Sequence, residues 1–424
     1  MRLGLRFDMR APDIAAPVGE LYAAAIDMAE WADELGFDAV YFAEHHGAED
    51  GHCPAPIVQA ASVAARTHRA QLRISALLAA LRHPIQTAEE LAVLDIISGG
   101  RAAATLGLGY RPIECGMFGV AAADRVARVS TAVEVFRQAW TGEPFSYDGV
   151  PALVRPRPVR PSGPELYLAG STPASARRAA TLGLGYEPAP SYFAESPLYT
   201  LYQSECVRLG RPVPPPYPRP GPRFLFVTHE PERDWELLFP YLAHQTNSYA
   251  QWRAEANHDD IRSMRWSQVN DIEQLRADPA FAIVTPDDCV EIAQRLGPTG
   301  ELAFYPLTGG TPPELAWRGL RTFADEVLPV LRELGLVAQP SQDSMPSTGG
   351  RPAAIRRRFP GVAEVMCGTS RANLCSAPEL DGVRHMVEHY CLRPHIIITK
   401  SAAAMRLGGT PAWCLPTATA PCRP

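Results

Sequence analysis

The chain has 424 residues, 46% hydrophobic and 20% charged, enough to bury a large core. A formal net charge of -6 leaves no electrostatic footprint for nucleic acid or an anionic membrane surface. No apolar stretch approaches the roughly 20 residues of a membrane span and no basic-then-apolar leader opens the chain, so a cytoplasmic protein with no membrane partner is expected.

Short strands and helices alternate along the first 335 residues. "LGLRFD" (3–8) is strand-like, and "VGELYAAAIDMAEWADELG" (18–36) has helical periodicity that stops at Gly36. "FDAVYFA" reads as a buried strand, "APIVQAASVAART" as a helix and "LRISALLAA" as a third strand. "HPIQTAEELAVLDIISGG" has proline near its start and glycines after its end, the asymmetry expected of a helix. "RAAATLGLG" is the fourth strand, followed by a helix from Asp124 to Trp140. "PELYLAG", the helix "TPASARRAATLG", "PRFLFVTH", the helix "PDDCVEIAQRLG" and "GELAFYPL" continue the series, and "PPELAWRGLRTFADEVLPVLRELG" reads as one long last helix.

Repeated βα units imply a parallel sheet, and right-handed crossovers let about eight of them close into a barrel. The expected class is therefore α/β, a (β/α)8 TIM-type barrel over residues 1–335; an open doubly wound sheet is the alternative. Two segments depart from the alternation. "RPVPPPYPRPGPR" (211–223) reads as a stiff surface connection, and residues of about 229–280, rich in aromatics, read as a mostly helical insertion. The heptapeptide "ATLGLGY" occurs twice, at 104–110 and 180–186, in different contexts.

From about Leu336 the composition changes. The tail 336–424 is turn-rich, holds five of the nine cysteines and lacks sustained periodicity. It is read as disordered, as a small extra module, or as a non-native-like extension, and no function is assigned to it. The cysteines form no CxxC pair, so neither a zinc ribbon nor a disulfide framework is indicated.

Chemistry concentrates at "YFAEHHG" (41–47), where His45 and His46 follow the second strand. Active sites of parallel barrels lie at that end of the strands. The spacing fits no helix-borne metal motif, and adjacent histidines on extended chain point to opposite faces, so no metal is expected. One imidazole is read as the working base or hydrogen-bonding group, His45, and the other as a rim residue, His46; a purely structural pair is the bland alternative. A second signal is "YLAGSTPAS" (167–175), which delivers Gly170, Ser171 and Thr172 to a helix start, a ready phosphate site or a simple cap.

"GFDAVYFAEHHG", "LLAALRHPIQTAEELAVLDIISGGRAAATLGLGY" and "ELYLAGSTPASARRAATLG" together resemble the bacterial luciferase-like flavin-dependent monooxygenase family over roughly residues 1–335. The resemblance implies a TIM-type barrel that takes reduced FMN from a separate NAD(P)H flavin reductase. Oxygen would then react to a C4a-hydroperoxyflavin that oxygenates a small organic substrate, in a homodimer. Carried over residue by residue, His45 matches the catalytic histidine, and Ala79–Ala80 matches a non-proline cis peptide behind the flavin ring. Leu108 and Tyr110 fall on the cofactor loop after strand four, and Gly170, Ser171, Thr172 and Ser175 on the phosphate turn. Leu108 stands where many members carry arginine, and Arg111 is the expected substitute. Tyr249 and Trp252, with Tyr241 and His244, are expected in the substrate wall. An F420-dependent oxidoreductase performing hydride transfer is the runner-up on the same scaffold, and a non-catalytic flavin-binding relative the third reading.

Overall fold

Alternation of side chains along the strands decides the architecture. In β1 (Arg2–Phe7) Leu3, Leu5 and Phe7 join the main hydrophobic cluster, while Arg6 faces the other way, its guanidinium 4.5 Å from the Tyr41 ring. The computed structural model describes residues 1–339 except 190, 191, 193 and 257–266, so the tail expected from residue 336 lies, from 340 on, outside the described residues. The chain divides into two units, Met1–Pro346 and Ser347–Pro424, and the first carries everything that follows.

Its strands are β2 (Ala39–Phe42), β3 (Gln71–Leu77), β4 (Ala102–Leu106), β5 (Glu165–Gly170), β6 (Gly185–Pro188), β7 (Arg219–Pro220), β8 (Phe224–Val227), β9 (Phe281–Val284) and β10 (Gly300–Phe304). Eight form one sheet in the order β6-β5-β4-β3-β2-β1-β10-β7, every pairing parallel. A parallel pair, β8–β9, lies beside β10. With the intervening helices this is a (β/α)8 TIM-type barrel. A small hairpin, Phe145–Tyr147 with Val150–Ala152, decorates the β4–β5 connection.

The helices are α1 (Val18–Glu34), α2 (Pro56–Ala64), α3 (Pro84–Ser98), α4 (Pro112–Met117), α5 (Arg125–Ala139), α6 (Pro173–Leu182), α7 (Pro197–Arg208), α8 (Pro231–Ala256), α9 (Ile272–Arg276), α10 (Pro286–Leu296), α11 (Pro313–Thr322) and α12 (Leu328–Glu333). In α3 the expected asymmetry is realised: Pro84 opens the first turn and Gly99 closes the helix at φ 66°, a left-handed conformation that glycine adopts without a Cβ penalty.

Several expectations need correction. One turn of the long last helix departs from the α form: α11 runs on into α12 without a break, but through a π-helical turn, Phe323–Val327, because Pro329 has no N–H to give the preceding turn and its ring crowds the carbonyl four residues back. The proline-rich run at 211–223 is not all connection, since Arg219–Pro220 pairs with Gly300–Glu301 at the sheet edge, where proline is tolerated. Strand β9 gave no clear signal, being only four residues long and pairing outside the main sheet.

Inside the barrel the chain keeps a charged network. Glu187 of β6 accepts hydrogen bonds from Ser75 Oγ (2.7 Å) and Thr105 Oγ1 (2.6 Å), with Arg73 Nη2 at 3.3 Å. Burial pushes the Glu187 carboxyl up, and Arg73, Arg6 and the two hydroxyls outweigh it to hold it below the ordinary value.

Candidate active site

Neighbouring parallel strands end side by side, so the sheet order sets the order of groups around the barrel mouth. Going from β1 to β5, the chain presents Asp8 to Arg10, then Glu44 to His46, Leu78 to Arg82, Gly107 to Arg111, and Gly170 to Ser175. Helix α8 adds residues from above.

His45 is buried, its backbone N–H on the Cys53 carbonyl (3.1 Å) and its Nδ1 2.7 Å from Glu114 Oε1. Glu114 stands in the first turn of α4, which Pro112 starts directly after the β4 loop. The same Oε1 accepts the His46 backbone N–H at 3.0 Å. The two histidine side chains diverge as extended chain requires, and His46 Nε2 lies 3.1 Å from Glu44 Oε1. Glu44 is itself a staple, accepting Leu78 N–H (2.6 Å) and the Arg82 Nε (2.9 Å) and Nη2 (2.6 Å), so it ties the β2 rim to the β3 loop.

Aromatic rings enclose the His45 imidazole. His52, Trp252, Tyr110 and Tyr249 lie at centroid distances of 4.7, 4.8, 5.7 and 5.9 Å. The buried Arg10 and Arg111 guanidiniums both stack on Trp252, 4.4 and 3.9 Å from its ring centroid. Arg10 also pairs with Asp50, which holds His244 Nε2 at 2.8 Å. Tyr249 OH meets His52 Nε2 at 3.1 Å, and Gln245 Nε2 donates to Asp8 Oδ2 at 3.0 Å. Residues 245, 249 and 252 share one face of α8, which explains why one helix supplies all three contacts.

Burial sets the protonation states. Desolvation pushes the His45 pKa below the ordinary value, against the pull of Glu114, and pushes His52 further down with help from Arg10 and His45. Both imidazoles are therefore neutral near pH 7. Burial raises the Tyr110 and Tyr249 hydroxyls, which stay protonated.

The family model of luciferase-like monooxygenases matches residues 5–298. The chain belongs to the luciferase-like monooxygenase family. Among its relatives, the F420-dependent glucose-6-phosphate dehydrogenase of Microbacterium testaceum is 27% identical over 78% of this chain and 99% of its own length. The oxygenase component of the flavin-dependent trigonelline monooxygenase of Acinetobacter baylyi is 25% identical over 49% of this chain and 60% of its own. The crystal structure of the monooxygenase RslO1 from Streptomyces bottropensis superposes with a TM-score of 0.60 at 26% identity, covering 78% of this chain and 99% of that one. Flavin-dependent monooxygenases and F420-dependent oxidoreductases are thus both homologues.

For this luciferase-like chain, the structure gathers His45, Tyr110, Tyr249 and Trp252 into one cluster. Leu108, beside them in sequence, packs against the core. Ala79 and Ala80 are buried in a 3-10 turn after β3, and the non-proline cis bond lies four residues earlier, at Ser75–Ala76, where the β3–β4 register shifts. The Arg111 guanidinium is committed elsewhere than to the Gly170–Ser175 segment, because its Nη1 donates to the His46 carbonyl at 2.7 Å and its plane is taken up by Trp252. Arg128 Nε instead reaches the Ala80 carbonyl (2.5 Å), and Arg125 bonds the Gly109 carbonyl.

At the expected phosphate turn, Thr172 and Ser175 form a capping box, with Ser175 N–H on Thr172 Oγ1 and Thr172 N–H on Ser175 Oγ, both 3.2 Å. Gly170 has no room for a side chain, since a Cβ there would lie 2.1 Å from Ser175 Oγ. The Tyr241 carbonyl lies against the Thr308–Gly310 turn. Among the described residues no group of three or more His, Cys, Asp or Glu is arranged to hold a metal ion, and no helix is long and apolar enough to cross a membrane. Glu114, Arg10, His52 and Asp50 had no sequence motif. The one available clue was that Pro112 restarts a helix just past the β4 rim, which puts Glu114 in its first turn.

Proposed function

We propose that the chain is a flavin-dependent monooxygenase that uses reduced FMN and molecular oxygen to oxygenate a small organic substrate. One observation carries this reading: a buried imidazole–carboxylate dyad, His45–Glu114, stands in an aromatic-walled mouth at the C-terminal end of a parallel barrel. The residues present fit a flavin ring. His52 Nδ1, Arg111 Nε and Glu114 Oε2 are buried without a hydrogen-bond partner, and a flavin's polar edge offers both donors and acceptors. Gly170 and Ser171 would receive the phosphate. Thr172 and Ser175 hold the helix start that presents it.

Reduced FMN, when bound, supplies the electrons that activate oxygen. His45 donates Nδ1–H to Glu114, which leaves Nε2 as the nitrogen that accepts or returns a proton in the mouth. Tyr110, Tyr249 and Trp252 keep water out of that space. A separate NAD(P)H flavin reductase and a homodimeric state belong to the same reading, as does a cytoplasmic location. Hydride transfer with F420 is the second reading, favoured by the likeness to a relative of that name along 99% of its length.

Anaerobic titration with reduced FMN and, separately, with reduced F420, followed by admission of oxygen, tests the choice. Tight binding of reduced FMN and a transient oxygen adduct support the oxygenase. Binding of F420 alone with no adduct replaces it with the dehydrogenase.

A further inference from the structure

A second imidazole–carboxylate pair stands at the same mouth. His244 of α8 has about a third of its side chain exposed, and its Nε2 lies 2.8 Å from Asp50 Oδ2. Asp50 is fixed from three sides, by His244, by the Arg10 guanidinium and by the His52 backbone N–H (3.3 Å). Burial pushes the Asp50 carboxyl up, yet the hydrogen bond from His244 and the Arg10 charge outweigh it and hold it at about 2. It is therefore an ionised acceptor throughout the working range, so His244 Nε2 must carry the hydrogen. In the neutral ring the lone pair is then on Nδ1.

This is the orientation logic by which a carboxylate sets the tautomer of a catalytic base. The polarity is opposite to that of His45, which bonds its carboxylate through Nδ1. The charged group that meets His244 is Asp50 from the β2 loop; Asp50 in turn pairs with Arg10 from the β1 loop, which is flanked by Asp8 and by the Tyr249 ring. Arg10 links the two dyads, since its guanidinium touches Asp50 on one side and stacks on Tyr249 and Trp252, the walls of His45, on the other.

We infer that His244, oriented by Asp50, is a general base toward the substrate, and that the substrate is an aromatic ring bearing an ionisable hydroxyl. The planar walls Tyr110, Tyr249 and Trp252 suit a ring, and the Nδ1 lone pair suits a weakly acidic O–H. The phenolic proton moves to Nδ1, giving an imidazolium paired with the Asp50 carboxylate and a phenolate in the mouth. A phenolate ring is the electron-rich form that an electrophilic oxygen donor attacks. That consequence rests on the oxygenase reading above; the proton step does not need the flavin.

The test uses 4-nitrophenol, whose phenolate is coloured, with the full chain under anaerobic conditions, with and without reduced FMN. Wild type should bind the probe and ionise it at a pH below the free midpoint. His244→Asn, which keeps a polar atom but no base, should raise the bound midpoint by about one pH unit, tenfold in proton concentration, or more. His244→Gln serves the same purpose should His244→Asn melt early. Equal midpoints in wild type and variant, or no binding of 4-nitrophenol to wild type, overturn the inference. Binding of reduced FMN is read in the same samples, so loss of the oxygenase reading would show as absent flavin binding with the midpoint shift intact.

Discussion

Glu114 Oε1 accepts two donors of the same dipeptide, His45 Nδ1–H at 2.7 Å and His46 N–H at 3.0 Å, so one carboxylate oxygen fixes both the ring and the backbone of the histidine pair. The orientation of His45 thus depends on a residue 69 positions away in the chain. Glu114→Gln keeps the size but permits the wrong tautomer, and His45→Ala removes the group altogether. Once a substrate is identified, each should lower kcat by about 10²-fold or more, and in His45→Ala reduced-flavin affinity should change little. Rapid-mixing kinetics at fixed substrate check this, and unchanged turnover in His45→Ala would refute the catalytic assignment.

Thr172 separates capping from phosphate binding. Its hydroxyl is already committed to the Ser175 N–H, so Thr172→Ala should cost about 1 kcal/mol of stability from the lost cap. Affinity for reduced FMN should change little. Urea unfolding alongside a flavin titration distinguishes the two, and a large affinity loss at unchanged stability would move Thr172 into the phosphate site.

Neutral buried histidines predict a pH trend. His45 and His52 have folded pKa values below their unfolded ones, so below about pH 6.5 the unfolded chain takes up protons that the folded chain refuses. Stability is full above that value and falls as the pH drops through it. Urea midpoints at about pH 7.5 and about pH 5.5 should show the loss, and His52→Gln should flatten the slope.

Glu187 compensates charge inside the barrel. Glu187→Ala would leave the Arg73 guanidinium without its carboxylate and two hydroxyls without their acceptor, for a loss of about 3–5 kcal/mol. Thermal unfolding measures it. A shift within error would mean that water enters the barrel and takes over the role.

Much of the fold was legible because its signals are local. Pro84 and Gly99 bound α3 as the sequence pattern requires, and the alternation of Leu3, Leu5 and Phe7 with Arg6 is visible in one short stretch. The last helix was legible as one run, and only its π-helical turn was not, because Pro329 shifts the hydrogen bonds of the preceding turn without ending the helix. The heptapeptide "ATLGLGY" shows where local reading stops. At 104–110 it finishes β4 and forms the loop after it, while at 180–186 it finishes α6 and begins β6. Seven identical residues take two structures because burial between neighbouring elements, not propensity, decides each one.

By itself the sequence determined the βα alternation, the family resemblance and the position of His45 at a strand's C-terminal end, since each follows from periodicity or from a contiguous motif. Only the tertiary structure decided what His45 touches. Glu114, Arg10, His52, Asp50 and the α8 residues come from four different segments, and parallel strands bring such segments together only when the barrel forms. The direction of Arg111 was likewise a tertiary outcome, because the Trp252 ring, far along the chain, offered its guanidinium a buried face.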